Sequence, residues 1–185
     1  MTLRNNQTTY YTSFNKMVSL GQNMVTIGKF EVRRFTPEDL PVVMEINRTC
    51  LPENYNSYFF MEIYHSCPEA FLLAVLSNRI IGYMMCRVEH GFSEISRLKM
   101  VKKAHLVSLA VVPEYRRIGA ARALVTEAMD AVTKRGAKEF YLEVRITNDA
   151  GIELYKQLRF ETYRRVQYYY HDGADAYVMS KKLTE

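Results

Sequence analysis

The chain has 185 residues, of which 25 are basic and 20 acidic, giving a formal net charge of +5. At roughly 100 to 200 residues per domain, this length predicts one domain and excludes two independent catalytic domains. Although 48% of the residues are hydrophobic, no apolar stretch approaches the roughly 18 to 20 residues that a membrane span needs, which excludes a membrane-spanning protein.

The positive charge is local. Between Arg97 and Arg122, seven basic residues stand against a single acidic one, Glu114. A basic window favours an anionic partner, but charge runs are also common on solvated surfaces, so the window needs a motif to indicate a function. The cysteines at positions 50, 67 and 86 contain no CxxC pair. They indicate reduced thiols and a cytoplasmic protein rather than a disulfide framework or zinc cluster.

The elements follow in chain order from residue 30. Residues 1–29 are polar and show no periodicity, which predicts a flexible N-terminal tail before a domain at 30–185. A strand is predicted at 30–35, and Thr36-Pro37-Glu38-Asp39 begins a helix because Thr caps, Pro has the required φ and acids suit the helix N-terminus. A polar loop at 51–55 then separates this helix from a second.

The rest of the pattern alternates between the two element types. We predict further helices at 57–66, 119–135 and 148–158, and strands at 70–76, 80–89, 105–112, 138–145, 160–170 and 176–183. A long loop that contains most of the basic residues is predicted before the strand at 105–112. Strand-helix-strand units mixed with hairpins predict an α/β (α+β) domain with a mixed sheet covered by helices.

One strand leads directly into a basic turn of small residues that begins a helix. The apolar strand at 107–112 is followed by Pro113 and by the turn around Arg116, Arg117 and Gly119. The first N–H groups of such a helix lie outside its hydrogen-bond ladder, and its dipole favours an anion there. Arginines add charge-assisted donors, which suits a ligand with several phosphates. Neither Gly-x-x-x-x-Gly-Lys-Ser/Thr nor Gly-x-Gly-x-x-Gly is present, so ATP and dinucleotide sites lose their main support.

These residues also match a known pattern. Arg116-Arg117-Ile118-Gly119-Ala120-Ala121 is similar to the Arg/Gln-x-x-Gly-x-Gly/Ala pyrophosphate loop of the GNAT superfamily of N-acetyltransferases. Further segments resemble the catalytic subunit of protein N-terminal (Nα) acetyltransferases, particularly the archaeal type. They are Leu51-Pro52-Glu53-Asn54-Tyr55, Tyr115-Arg116-Arg117, Leu142-Glu143-Val144-Arg145, and Tyr169-Tyr170 before Asp172-Gly173. The resemblance extends over about residues 30 to 182.

The resemblance implies a fold and an activity. The fold is a single GNAT-like domain with a mixed, mostly antiparallel central sheet of about six to seven strands and helices on both faces. The activity is transfer of the acetyl group of acetyl-CoA, which leaves CoA as product, to the α-amino groups of proteins or nascent peptides. Neither a specific nucleic acid nor a membrane is implied as a partner, and no metal is.

The resemblance also implies roles for particular residues. The catalytic residues are Glu143 and His105 as bases and Tyr155, whose hydroxyl would protonate the leaving thiolate. The mouth that binds a peptide N-terminus consists of Glu53, Tyr55, Tyr169 and Tyr170. The cofactor-binding residues are Leu109, Ala110, Val111, Arg116, Arg117, Ile118, Gly119, Ala120, Ala121, Arg122, Asn148, Tyr155, Lys156 and Gln157.

Acid–base chemistry favours an N-terminal amine as the acetyl acceptor. An α-amino group has a pKa of about 7.7 to 8.0 against about 10.4 for lysine, so a weak or water-relayed base suffices. Each predicted residue also has a plainer interpretation: His105 as a structural histidine, Glu143 as a partner of a neighbouring cation, and Tyr155 as a core residue. A metal held by His105 and Glu143 lacks a third ligand.

Other functions remain open from the sequence. The first alternative is a GNAT enzyme that acetylates lysine side chains or small amines, because the cofactor motif is common to all of them. A second is a non-catalytic subunit that binds acetyl-CoA. A nucleic-acid module is disfavoured because the basic residues lack interleaved aromatics, although a basic surface could contact a ribosome. The basic residues from Arg97 to Lys103 are left without a role.

Overall fold

The computed structural model describes residues 17–20, 23–26 and 30–183 of the chain. The first two ranges are β1 (Met17–Leu20) and β2 (Asn23–Thr26), which pair antiparallel as a separate two-stranded sheet. They lie where the sequence predicted a tail without regular structure. The other residues of that predicted tail lie outside the described residues.

A seven-stranded sheet forms the centre of the domain, in the order β3-β4-β5-β6-β7-β9-β8. The pair β6 and β7 is parallel, and all the other neighbours are antiparallel, which confirms the expected mixed, mostly antiparallel sheet. The strands are β3 (Glu31–Arg34), β4 (Phe71–Leu76), β5 (Arg79–Phe92), β6 (Met100–Val111), β7 (Glu139–Arg145), β8 (Glu161–Val166) and β9 (Ala176–Lys182).

Helices cover both faces of this sheet. They are α1 (Leu40–Cys50), α2 (Ser57–Ser66), α3 (Ala120–Lys134) and α4 (Asp149–Gln157). Short 3-10 turns stand at Pro37–Asp39, Pro68–Ala70 and Pro113–Tyr115. In the part of the chain that the structure describes, no helix is long and apolar enough to span a membrane.

Alternation along the strands divides the core into two layers. In β4, Leu72 packs in the layer that contains α3, whereas Leu73 packs in the layer that contains α1 and α2. Because successive side chains of a strand point to opposite faces, a central strand such as β4 is apolar on both sides. The residues of β5 obey the same rule, and those of β6 obey it on either side of Val107, so each can be assigned to the α1–α2 face or to the α3–α4 face.

The predicted helix start at Thr36 is present, with an additional partner. The Asp39 carboxylate accepts the Thr36 N–H at 2.9 Å and binds both terminal nitrogens of Arg33 at 2.7 and 2.8 Å. Its pKa is lowered, because these hydrogen bonds and the Arg33 charge outweigh burial, which acts in the opposite direction. The carboxylate thus fixes β3 against the first turn of the helical segment.

The prediction of a long basic loop before residue 105 is wrong, because β5 and β6 extend into this segment as a hairpin. The basic residue Lys103 lies inside this hairpin and is buried, yet its charge is compensated by Glu94 at 2.8 Å. Buried Glu139 of the next strand accepts hydrogen bonds from Ser93 and from the Glu94 N–H. The buried charges of this segment thus have partners. The strands can therefore extend through it, although its composition alone indicated a solvated loop.

The predicted strand at 160–170 is too long. It ends at Val166, and Tyr168 has a left-handed backbone with φ of 52°. Asp175 accepts the Tyr168 N–H at 2.9 Å and pairs with Arg165, which closes a turn. Tyr169 and Tyr170 therefore lie on a turn between β8 and β9 rather than in a strand.

Candidate active site

The candidate active site lies where β6 and β7 separate. The two strands pair over three residues of each, ending at His105 opposite Tyr141, and then continue without further pairing to each other. The register of β5 with β6 shifts beside this point, so that Val107 is an extra residue. Such bulges bend a strand and disturb its pairing. The sheet is therefore open between the C-terminal halves of β6 and β7.

A cleft of about 690 Å³ extends from this opening along the N-terminal end of α3. Its lining includes every predicted cofactor-binding residue except Lys156. That residue is exposed because it follows inward-facing Tyr155 by one position, about a quarter turn around α4. The cleft also reaches Cys50 and Leu51 at the end of α1, on the opposite face of the sheet.

The N-terminus of α3 provides an anion site. Gly119 has φ of 96°, which favours glycine, and a Cβ there would meet no atom within 4 Å. The first bond of the helix ladder joins the Ala123 N–H to the Gly119 carbonyl at 3.0 Å. The N–H groups before Ala123 therefore lie outside that ladder, at the positive end of the helix dipole. This arrangement fits a pyrophosphate.

Two of the predicted cofactor-binding arginines also have partners within the protein. Arg116 donates from Nε to the Val111 carbonyl at 3.0 Å, which ties the basic turn to the end of β6. Arg122 donates to the side-chain oxygen of Gln157 and so links α3 to α4 across the cleft. Each arginine thus shapes the cleft that it lines.

The start of α4 is capped by Asn148. Its side-chain oxygen accepts the Gly151 N–H at 3.0 Å, and a Cβ on residue 151 would lie only 2.7 Å from the Asn148 amide nitrogen. A glycine at this position therefore leaves room for the capping side chain. Asn148 therefore caps α4 and also lines the cleft, as predicted.

Tyr155 is buried on α4 and lines the cleft with its ring against Phe160, 5.8 Å between centroids. Burial raises the pKa of its hydroxyl, with a smaller contribution from Cys86. The hydroxyl thus retains its proton at neutral pH, as a proton donor must.

His105 and Glu143 meet on the opposite face of the sheet from Tyr155. The His105 Nε2 atom lies 2.7 Å from a carboxylate oxygen of Glu143, and the two side chains are only 12% and 13% exposed. The imidazole stacks on the Tyr141 ring with centroids 4.5 Å apart and planes 7° from parallel. The two predicted bases are therefore one hydrogen-bonded pair with a fixed ring orientation.

The opening between β6 and β7 connects the two faces. The residues Tyr141, Glu143 and Arg145 alternate with Leu142 and Val144, which belong to the α3 layer. His105 and Glu143 therefore lie on the α1–α2 side, while the anion site and Tyr155 lie on the α3–α4 side. The opening thus connects the cleft along α3 with the His105–Glu143 pair.

The predicted peptide mouth is bridged by an arginine. One terminal nitrogen of Arg145 lies 2.5 Å from Glu53 and the other 2.7 Å from Asp172, while its guanidinium lies 3.9 Å from the centre of the Tyr170 ring. Glu53 belongs to the α1–α2 loop and Asp172 to the β8–β9 turn. Arg145 thus joins the two sides of the mouth, a role that the sequence did not reveal.

Two mouth tyrosines lie close to the bases. Burial and the neighbouring Glu143 raise the pKa of Tyr169 to about 12. Burial, then the charges of Glu53 and Glu143, raise the pKa of Tyr55, whose ring stacks on Phe59 at 4.7 Å. The structure therefore brings all four predicted mouth residues around the catalytic pair.

The α1–α2 loop is held by a buried polar network that sequence reasoning missed. Asn47 donates to the Glu53 carbonyl and to the Tyr83 hydroxyl, both at 3.0 Å, and accepts the Tyr55 N–H at 3.2 Å. The Tyr83 hydroxyl lies 2.7 Å from Ser108 Oγ on β6. The one signal in the sequence was a polar residue at an inward position of the α1 stripe.

No cluster of three metal-ligating side chains occurs within the described ranges. The neighbours of the His105–Glu143 pair are Tyr169, which bonds to Glu143, and Tyr141, which stacks on His105.

Comparisons with known proteins agree with this geometry. Residues 40–160 match the model of the acetyltransferase (GNAT) family. The chain is 41% identical to the N-alpha-acetyltransferase of Sulfurisphaera tokodaii, over 84% of this chain and 94% of that protein. It is 42% identical to the N-alpha-acetyltransferase of Saccharolobus solfataricus, over 83% and 93%. The chain therefore belongs to the GNAT family of acetyltransferases, and these archaeal relatives are N-alpha-acetyltransferases.

A solved structure supports the same assignment. Arabidopsis thaliana Naa50 in complex with the bisubstrate analogue CoA-Ac-MVNAL is 26% identical and superimposes with a TM-score of 0.71, over 82% of this chain and 97% of that one. That analogue joins CoA, an acetyl group and a peptide. The family membership and the cleft together show acetyl-CoA as the acetyl donor.

Proposed function

We propose that this chain transfers the acetyl group of acetyl-CoA to the α-amino group of protein and peptide N-termini. The observation that carries the proposal is the opening between β6 and β7, which joins the anion site to the His105–Glu143 pair. The archaeal relatives, at 41% and 42% identity, support the α-amino group as acceptor. The two bridged sides of the mouth support a peptide as the molecule that carries it.

Acetyl-CoA supplies a thioester-activated acetyl group. The N-terminus of α3 and the arginines of the basic turn hold the pyrophosphate, and residues 109–111 offer backbone hydrogen bonds along the opening. The Glu143 carboxylate and the His105 imidazole accept a proton from the amine, directly or through water. As the new C–N bond forms and the C–S bond breaks, the Tyr155 hydroxyl donates a proton to the departing sulfur.

The experiment uses the purified chain with acetyl-CoA and peptides that have free or blocked N-termini, analysed by mass spectrometry. We expect acetylation of free N-termini only. Acetylation of a lysine in a blocked peptide would favour the alternative of a lysine-directed enzyme. Binding of acetyl-CoA with every amine left unmodified would favour a non-catalytic subunit.

We further propose that the β5–β6 connection contacts the ribosome, where nascent N-termini emerge. The supporting feature is its tip, where Arg97 and Lys99 are exposed beside Leu98, whose exposed fraction is 93%. Contacts with phosphates weaken as salt rises because counterions are released. We expect co-sedimentation with ribosomes that declines with salt and with R97Q and K99Q together. Salt-insensitive co-sedimentation would contradict this contact.

We propose the cytoplasm as the site of action. The three cysteines at positions 50, 67 and 86 are free thiols, and two of them are buried. Free buried thiols suit a reducing compartment. Cell fractionation that places the chain outside the cytoplasm would contradict this proposal.

A further inference from the structure

Arg87 is a cation on the catalytic face of the sheet. It stands on β5 directly opposite His105 in the antiparallel register. Tyr83 and Met85 of the same strand pack in the α1–α2 layer, and Arg87 continues that alternation. Its side chain is 44% exposed, so it borders the catalytic pair and solvent at once.

Within residues 30–183, most of the hydrogen-bonding capacity of the Arg87 side chain is unused. In that range the guanidinium forms one ion pair, 3.1 Å from Nε to a Glu89 carboxylate oxygen. The geometry of that contact does not make a hydrogen bond, and Nε is buried. A guanidinium has five N–H donors in a planar fork that matches a carboxylate. The fork of Arg87 is therefore available to a ligand.

The charge of Arg87 reaches the peptide mouth. Burial is the main influence on Tyr169 and Tyr141, and it raises the pKa of both hydroxyls. The Arg87 charge acts on both in the opposite direction. Tyr169 belongs to the mouth and Tyr141 stacks on His105, so Arg87 lies within electrostatic range of the path that a substrate amine must take.

Two other cations near the catalytic pair are already engaged. Arg145 uses both terminal nitrogens on Glu53 and Asp172. Lys103 is buried and bonded to Glu94 and to the Phe92 carbonyl. Arg87 differs from both, because it combines exposure with unused donors beside the catalytic pair.

We propose that Arg87 binds the carboxylate of an acidic side chain at the second or third residue of the peptide substrate. Neighbouring strands are about 4.8 Å apart, and an extended peptide advances about 3.3 to 3.6 Å per residue. With its amine at His105, a peptide that crosses toward β5 brings these residues within reach of the guanidinium. The proposal rests on the N-terminal acetylation proposed above.

The experiment compares peptides that differ only by Asp or Asn at position two, three or seven, with kcat/KM measured for each. For a half-exposed charge pair we expect Asp to be favoured about fivefold at position two or three. At position seven we expect a ratio near one. The preference should decline between low and high salt, because ions screen exposed charges.

Variants separate binding from a structural role. R87Q should lower kcat/KM for the Asp peptide about fivefold more than for the Asn peptide, and R87K should retain part of the preference because it keeps the charge. The matched control is R34Q, which removes an exposed arginine from β3 at the edge of the sheet. R34Q should keep the ratio of kcat/KM between Asp and Asn peptides that the unmodified chain shows.

Two results would overturn the proposal. One is an unmodified chain that acetylates Asp and Asn peptides equally at both positions. The other is an R87Q chain whose kcat/KM falls by the same factor for both peptides, which would assign Arg87 to support of Glu89 and Tyr141. Failure to acetylate any peptide would contradict the proposed function itself, and so is distinguishable from loss of the acidic preference alone.

Discussion

At the scale of single residues, His105 and Glu143 act as a unit. They are 38 positions apart, and their 2.7 Å contact exists because β6 and β7 run parallel up to His105. The sequence alone indicated both residues as bases. It did not indicate that they are bonded to each other or that Tyr141 holds the imidazole, because those contacts depend on the register of two strands.

Glu143→Gln and His105→Ala are expected to lower kcat about a hundredfold, at the low end of general-base contributions, because the amine is only partly protonated. Without the base, the rate follows the neutral fraction of the amine, so the rising limb of the pH–rate curve moves up toward about 7.7 to 8.0. Steady-state rates from pH 6 to 9 test this. Unchanged curves in both variants would remove the pair as bases.

Gly119→Val is expected to raise the KM for acetyl-CoA at least about tenfold, because a β-branched residue disfavours the left-handed backbone and so displaces the first N–H groups of α3. Gly136→Val is the matched control. That glycine follows the other end of α3 with φ of 82° and equally open space. Gly136→Val should lower the free energy of unfolding by a similar amount and leave the KM for acetyl-CoA unaltered. Equal KM values in the two variants would refute the pyrophosphate site.

At the scale of elements, charge misled the sequence-based prediction more than hydrophobicity did. The bounds of α2 were predicted correctly from apolar spacing at Ser57–Ser66, and α3 and α4 to within one residue at each end. The strands at 80–89 and 105–112 were predicted, but their extension toward each other was missed because Lys103 on β6 and Glu139 on β7 are buried as compensated charges. Periodicity records which side chains are apolar, but it does not record which charges have partners.

The α1–α2 loop and the β8–β9 turn depend on Arg145 for their relative positions. Glu53→Ala is therefore expected to raise the KM for peptides about tenfold or more while that for acetyl-CoA stays within about twofold, because removing one charge-assisted contact costs about 1.5 to 3 kcal/mol. Asp172→Ala, which breaks the other half of the bridge, is the matched variant. Equal effects on both substrates would count against a role at the mouth.

At the scale of the whole molecule, the two faces of the sheet carry different parts of the candidate site. One face carries the anion site proposed for the phosphates at α3, and the other carries the proposed bases and peptide mouth. The order of predicted elements indicated a helix-covered mixed sheet, and the GNAT resemblance implied helices on both faces; both expectations are confirmed. The sequence could not predict the place where the layers connect, since that depends on where β6 and β7 stop pairing.

Acetyl-CoA is expected to stabilise the whole domain because the cleft is formed by α1, β6, α3 and α4 together. At about 100 times its Kd, a ligand adds about 2.7 kcal/mol of stability. For this chain length that corresponds to a Tm about 5 to 11 °C higher. Thermal unfolding with and without ligand checks it, with ATP as a control that has phosphates but no pantetheine arm. A Tm that does not respond to saturating acetyl-CoA would contradict the assigned cleft.

The separation of β6 from β7 creates a strand edge in the middle of a sheet. Every second backbone group along 106–111 faces this edge, where a neighbouring strand would normally complete the ladder. An extended pantetheine arm, with its own amides, would take the place of that strand. Amide hydrogen exchange along β6 should therefore slow when acetyl-CoA binds, and the opposite side of the strand, which is paired with β5, should be protected in either state.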